Sequence, residues 1–425
     1  MAHTLRPTFY GWWIVVGCFL ILFITVGIGL YAPPVFLVPV QEHFGWSRAA
    51  IATGSAIAAV VSGLVSPLVG AWIDKYGSRK VMTFGALLMG SAFLLLSAMG
   101  ALWQLYALSA LAAVGITCCA WIPTQTLISS WFNKKRGLAM GIALTGVGFG
   151  GLVMAPLTAL LIAQLGWRLA FAALGVTILV IVGTVVLAIV RSRPADIGLL
   201  PDGEAAASAG RTGTNAGADP AARIELGQAL RAGAFWSLAF CYFLWAFASL
   251  SILGHLVALL RDVGFASGTA AAALGLTVGA SVAGRVVVGY FADSASKRDI
   301  MTAALAFSGL STVFLLSIRS GGVLPLFVIT YGFALGGIAV LLPLLVGECF
   351  GLAAFSKILG LIMIAATLGA AAGPVLTGRV HDVTGSYRLA FMLHVAAFLA
   401  AALAIRSLPR PLTRASRLPA CTAQS

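Results

Sequence analysis

Residues 268–292 read GTAAAALGLTVGASVAGRVVVGYFA. The run is apolar and long enough to cross a bilayer as a helix, which takes about 20 residues at ~1.5 Å each. One residue breaks the pattern. Arg285 lies well inside the run, and no Asp or Glu in the run neutralises it. A cation at mid-helix in a membrane costs at least ~2.5–3.5 kcal/mol on insertion scales. Such a residue is kept where it faces a wet cavity or a partner, so Arg285 reads as a site for an anion. A snorkelling or structurally paired arginine is the alternative. Gly284 and Gly289 flank it and leave room for a neighbouring helix or a substrate.

The rest of the chain suits such a helix. Of 425 residues, 60% are hydrophobic and 9% charged, with mean hydropathy +1.04; a soluble domain carries about 25% charge. The chain therefore reads as an integral membrane protein. Twelve apolar runs are candidate spans, at about 12–38, 49–73, 81–99, 104–130, 137–163, 169–190, 235–259, 269–292, 300–318, 324–347, 358–380 and 388–406. The first run lacks a small-residue cleavage site and reads as a span rather than a signal peptide. The net charge of +14 is parcelled into short loops, which speaks for membrane topology and against nucleic acid. With the N-terminus inside, nineteen Lys and Arg fall on the inner side and six on the other, so both termini are expected in the cytoplasm. The six cysteines lie mostly in apolar runs and none has metal spacing, so no disulfide framework, metal site or cofactor is expected.

Residues 191–232 include EAAASAGRTGTNAGADPAAR, a Gly- and Ala-rich stretch unable to build a core, which reads as a flexible linker. The expected organisation is a six-helix bundle over 1–190, a cytoplasmic linker over 191–232, a second six-helix bundle over 233–407 and a basic tail over 408–425. The halves repeat. SPLVGAWIDKYGSRKVM at 66–82 matches RVVVGYFADSASKRDIM at 285–301, so Gly70 corresponds to Gly289, Asp74 to Asp293 and Arg79 to Arg298. Later, RLAF at 168–171 matches RLAF at 388–391 at nearly the same offset. Two parallel halves imply a central cavity between them and alternating access by rocking.

Gly70, Asp74, Lys75, Gly77, Arg79 and Lys80 together resemble the loop 2–3 signature of the major facilitator superfamily, with Ser78 where a basic residue is common. The resemblance spans essentially the whole chain. It implies an all-α, polytopic fold of twelve transmembrane helices in two six-helix pseudo-repeats. It also implies a cytoplasmic gate in which Asp74 faces the amides that open span 11, near Lys357. Gly289 and Asp293 are the gate candidates of the second half. Within the superfamily, PTFYGWWIVVGCFL in span 1, WFNKKRGLAMGIALTGVGFGG leading into span 5, GHLVALLRDVGF at the end of span 7, RPADIGLLPDG after span 6 and Arg285 in span 8 are similar to the monocarboxylate and oxalate/formate-type anion carriers. In those carriers the span-8 arginine holds the substrate carboxylate, and that role is carried to Arg285 alone. Two departures matter. Ser281 stands where animal-type members keep an acidic residue, and 358–378 lacks the second cation of oxalate exchangers. One fixed cation suits one carboxylate.

The expected function is a secondary transporter of a small organic anion, a monocarboxylate by preference, working as a monomer in the bacterial inner (plasma) membrane. Its partners are the lipid bilayer and a proton or counter-anion. Tyr31, Gln125, Ser281 and Tyr331 are the further candidate substrate contacts, each with interhelical hydrogen bonding as the plainer role. No mid-span carboxylate is available as a proton relay, which leaves His255 as the coupling candidate and a polar cap as its alternative. A drug efflux pump, a non-transporting sensor and a membrane enzyme are the competing classes. The first lacks embedded carboxylates for cationic compounds, the second lacks a folded signalling module, and the third lacks a catalytic constellation.

Overall fold

The structure, a computed structural model, describes residues 9–203, 226–318 and 322–408. Most of the expected linker and tail, at 204–225 and 409–425, lie outside the described residues, as does Cys421. Helices make up the described chain, with no strand among them. That follows from solvent: in hydrocarbon a backbone N–H or C=O has no water to bond, and a helix satisfies both internally.

In the first half these are α1 (Gly11–Val26), α2 (Leu37–Phe44), α3 (Arg48–Tyr76), α4 (Ser78–Ser97), α5 (Leu102–Cys119), α6 (Trp121–Trp131), α7 (Arg136–Thr177) and α8 (Gly183–Ala188). After the short α9 (Leu226–Arg231) come α10 (Gly233–Asp262), α11 (Ser267–Ala292), α12 (Lys297–Leu316), α13 (Val323–Phe350), α14 (Phe355–Thr384) and α15 (Arg388–Arg406).

Eleven stretches of the described residues are long and apolar enough to cross a membrane, against twelve expected. The difference lies in residues 136–188, one stretch of 53 residues. At ~1.5 Å per residue that is far longer than one crossing. It breaks at Gly166, whose φ of 79° is open to glycine and strained for other residues. The two runs predicted on either side of it are thus crossings five and six. A second irregularity follows α1, where Gly27–Tyr31 widens into a π-type turn before Pro33–Phe36. Pro33 and Pro34 lack the N–H groups that would close the preceding turns, which loosens the helix there.

Packing is mostly within halves: α1 and α4 on α7, α3 and α4 on α5, α10 on α14 and α15, α13 on α11 and α12. The halves meet chiefly through two helix pairs, α7 with α11 and α3 with α14, with smaller contacts of α13 on α7 and α14 on α6. The sequence repeat relates α3 to α11, so each half contributes its repeat-equivalent helix to one of the two seams. Both seams are built on glycine. A Cβ at Gly137 would strike the Gly289 carbonyl, one at Gly289 the Gly137 carbonyl, and one at Gly141 the Arg285 carbonyl. Across the other seam, Gly70 sits on the Ser356 carbonyl and Gly360 on that of Ser66. In hydrocarbon no hydrophobic force draws helices together, so such backbone-to-backbone dispersion contacts carry the association. Towards the opposite end of α11, a Cβ added at Gly268, Gly275 or Gly279 would meet nothing within 4 Å. The halves are therefore clamped at the end that carries the basic loops.

Candidate functional site: a buried arginine between two clamped seams

Arg285 projects from α11 across the seam onto α7. It is only 7% exposed. Its Nη1 donates to the Leu144 carbonyl at 3.1 Å, and its Nε is buried without a partner. Among the described residues no carboxylate pairs with it. A Cβ at Gly148 would come 3.2 Å from Nη1, so the absence of a side chain there makes the space the guanidinium fills. One turn further along α7, Gly151 performs the same service for Tyr31, whose ring would lie 2.9 Å from an added Cβ. The glycine-rich GVGFGG face of α7 thus seats one residue from each half. Tyr31 hangs from the π-type turn after α1 and reaches α7 one turn from the Arg285 guanidinium. A guanidinium with free donors beside a phenol is a donor set for a carboxylate.

The other three candidates are placed differently. Ser281 is fully buried one turn from Arg285, but its hydroxyl donates to the Val278 carbonyl at 2.6 Å and its backbone abuts Gly336 of α13. Tyr331 is fully buried inside the second half, stacked on Phe327 at 5.0 Å and edge-on to Phe398. It lies beside Ser249 of α10, and neither hydroxyl makes a well-formed hydrogen bond. Gln125 is buried on α6, its side-chain oxygen without a partner. No hydrogen bond among the described residues ties any of the three to Arg285 or Tyr31.

The two seams end in carboxylates. Asp293, just past the end of α11, accepts from the Gly137 amide at 2.6 Å and the Leu138 amide at 3.0 Å. Those are the first free N–H groups of α7, where the helix dipole adds to the attraction. Burial pushes the Asp293 carboxyl above its usual range, against the pull of those two amides and of Lys297 and Arg136. Asp74 occupies the equivalent place on the other seam, yet its contact differs from the amide bonding expected. It pairs with the Lys357 ammonium at 3.4 Å in the first turn of α14. Nearby, the Thr126 and Ser356 hydroxyls share a hydrogen bond of 3.0 Å between α6 and α14. Gly77 turns the chain into α4, Lys75 stands 5.1 Å over the Tyr76 ring, and Arg79 Nη2 donates to the Leu187 carbonyl at 2.6 Å. Lys80 lines a cavity beside them.

His255 bonds through Nε2 to the Pro374 carbonyl at 3.0 Å and through Nδ1 to the Tyr387 hydroxyl at 3.4 Å. The carbonyl can only accept, so Nε2 carries the proton. His394, a second histidine in the last span, is fully buried, its Nε2 2.9 Å from the Thr377 hydroxyl and its Nδ1 without a partner. Its only signal in the sequence was a histidine within an apolar run, which does not reveal depth.

Comparison with known proteins agrees with this architecture. The model of the Major Facilitator Superfamily matches residues 17–354. Monocarboxylate transporter 11 of Homo sapiens is 28% identical over 421 residues, covering 95% of this chain and 84% of its own. Monocarboxylate transporter 13 of Rattus norvegicus is 27% identical over 413 residues, covering 96% and 92%. Among solved structures, the proton:xylose symporter XylE superposes with a TM-score of 0.77 at 13% identity, over 95% of this chain and 97% of that one; at that identity the likeness is one of fold. These relatives are transporters rather than enzymes, and the chain is a polytopic membrane protein of the same class. It belongs to the major facilitator superfamily.

Proposed function

We propose that this protein is a secondary active transporter of a small monocarboxylate, working by alternating access, with Arg285 holding the carboxylate. The observation that carries the reading is a buried guanidinium between the halves with unspent donors and, among the described residues, no carboxylate to neutralise it. An anion that fills this place removes the penalty of an isolated buried charge. Tyr31 supplies a second donor at the same point of α7. Because Arg285 spans the seam, its occupancy is felt by both halves. A dicarboxylate would bring one negative charge too many.

The empty carrier holds an uncompensated cation, so its reorientation is costly. This favours exchange of one anion for another, or symport in which anion and proton travel together. His255 is the proposed proton residue. By helix rise it stands ~33 Å along α10 from the basic end, and Arg285 only ~10 Å along α11. A proton on His255 therefore acts through its Pro374 and Tyr387 contacts with α14 and the turn before α15, not by direct transfer to the substrate. Gly70, Asp74, Lys75, Gly77, Arg79, Lys80, Gly289 and Asp293 form the gate of the cytoplasmic face in this scheme. The likeness to proteins named monocarboxylate transporters supports the substrate class. A thermal-shift screen of purified protein against mono- and dicarboxylates tests it, because a ligand that binds the folded state raises the midpoint by mass action. Stabilisation by monocarboxylates alone is expected. Stabilisation by dicarboxylates alone contradicts the proposal.

A further inference from the structure

We propose that the basic face of the first half carries a site for an anionic phospholipid. Arg79, Lys80 and Arg193 hold its phosphate, and an acyl chain lies over Phe84, Leu87 and Leu187. Two adjoining cavities carry the inference. The first, of about 360 Å³, lies between the turn joining α3 to α4 and the segment after α8. Its cations are Lys75, Arg79, Lys80 and Arg193, and its anions are Asp74 and Asp196. Both anions are already engaged: Asp74 pairs with Lys357, and Asp196 accepts from the Arg193 amide at 2.9 Å. Among the described residues none of the four cations makes an ion pair within 4 Å. The first turn of α4 borders the same space, its Arg79 amide donating to the Ser192 hydroxyl at 3.2 Å and its dipole adding to the positive charge.

The second cavity, of about 470 Å³, begins where the first ends. Arg79 and Lys80 line both, and beyond them the walls are Thr83, Phe84, Leu87 and Leu187. Phe84, Leu87 and Leu187 are 48%, 59% and 54% exposed, on helices built to face hydrocarbon. A cationic recess thus opens directly onto an apolar groove at the edge of the membrane. A phospholipid has that two-part shape, with a phosphate beside the glycerol and chains running inward. A free phosphate would use the recess and leave the groove bare.

The test follows the unfolding midpoint of the purified full chain in lauryl maltose neopentyl glycol. The probes are dioleoyl phosphatidylglycerol, dioleoyl phosphatidylcholine and sn-glycerol 3-phosphate. Phosphatidylglycerol is expected to raise the midpoint saturably, at a concentration at least tenfold below that needed for phosphatidylcholine, and glycerol 3-phosphate to leave it unmoved. In the Lys80→Gln/Arg193→Gln variant the two lipids should become equal. A tenfold preference that survives in the variant overturns the proposal. A shift of equal size from glycerol 3-phosphate also overturns it, since the site would then take a free phosphate. The wild-type protein supplies a second measurement that does not depend on the variant folding. Photolabelling with a phosphatidylglycerol carrying a diazirine on its acyl chain should give adducts at Phe84–Leu87 and Leu187. Labelling spread evenly over the lipid-facing helices refutes the assignment.

Discussion

The carboxylate of Asp293 lies 2.6 Å from the Gly137 amide, so the residue that follows one helix of the second half caps the first turn of a helix in the first half. Gly137 and Gly289 make this possible by letting the two backbones touch one turn away. The clamp is electrostatic at its rim and steric beneath, and the two parts have separable consequences.

Removing the charge should loosen the rim. In Asp293→Asn one of two charge-assisted amide bonds is lost at a half-buried site, worth about 1–2 kcal/mol. The population open at the basic end should rise about 5–30-fold. Spin labels at Tyr76 and Leu352, both surface positions, should report a new long-distance component. Asp74→Asn, which leaves Lys357 unpaired across a longer contact of 3.4 Å, should act in the same direction with a smaller effect. Both variants should lose turnover before affinity. A large fall in ligand affinity at unchanged turnover argues against the gate roles.

Adding bulk tests the steric part. Gly137→Val must displace the Gly289 carbonyl, so it should abolish transport while leaving each half folded. Gly183→Ala is the matched control, because a Cβ there meets nothing within 4 Å and replaces a poor helix former. It should be neutral or stabilising by up to ~1 kcal/mol. Equal transport by the two variants would show that the close approach does not matter.

Much of this was legible in the chain. The lone cation at 285, the twelve apolar runs and the offset relating Gly70 and Asp74 to Gly289 and Asp293 needed only hydropathy and register. Other features depend on how helices tilt and turn. That Asp293 reaches two amides while Asp74 reaches a lysine is a matter of side-chain aim within one repeat. Tyr31 reaches the face of α7 that seats Arg285 through a π-type turn whose outcome Pro33 and Pro34 do not specify. Ser281 shares a helix with Arg285 yet donates to the Val278 carbonyl of that helix, and Tyr331 is enclosed by aromatic rings of its own half. Depth hid His394, since periodicity orders the residues of an apolar run without ranking their burial.

Tyr31→Phe isolates the phenol. The ring still fills the space beside Gly151, and only the hydroxyl goes. Loss of one hydrogen bond to a charged group, about 1.5 kcal/mol, should weaken substrate affinity roughly tenfold with little change in folding. Isothermal titration with the best ligand of the screen checks this. Unchanged affinity removes Tyr31 from the site.

His255→Gln should spare counterflow exchange and reduce pH-driven net uptake. Glutamine can still donate to the Pro374 carbonyl but cannot take up a proton. Proteoliposomes loaded with unlabelled substrate, assayed with and without a pH gradient, separate the two modes. Equal loss of both removes His255 as a specific coupling residue, and normal pH-driven uptake removes it altogether.

The central claim is that Arg285 is a buried cation held in readiness for a substrate carboxylate, and Arg285→Gln tests it through thermal unfolding with and without the preferred monocarboxylate. The ligand-free variant should unfold at the same temperature as the wild type or higher, because an uncompensated buried charge is gone. The stabilisation by ligand should vanish, matching a loss of 2–5 kcal/mol in binding. A variant that is destabilised without ligand yet still stabilised to the wild-type extent would contradict the account, and would make Arg285 a structural residue.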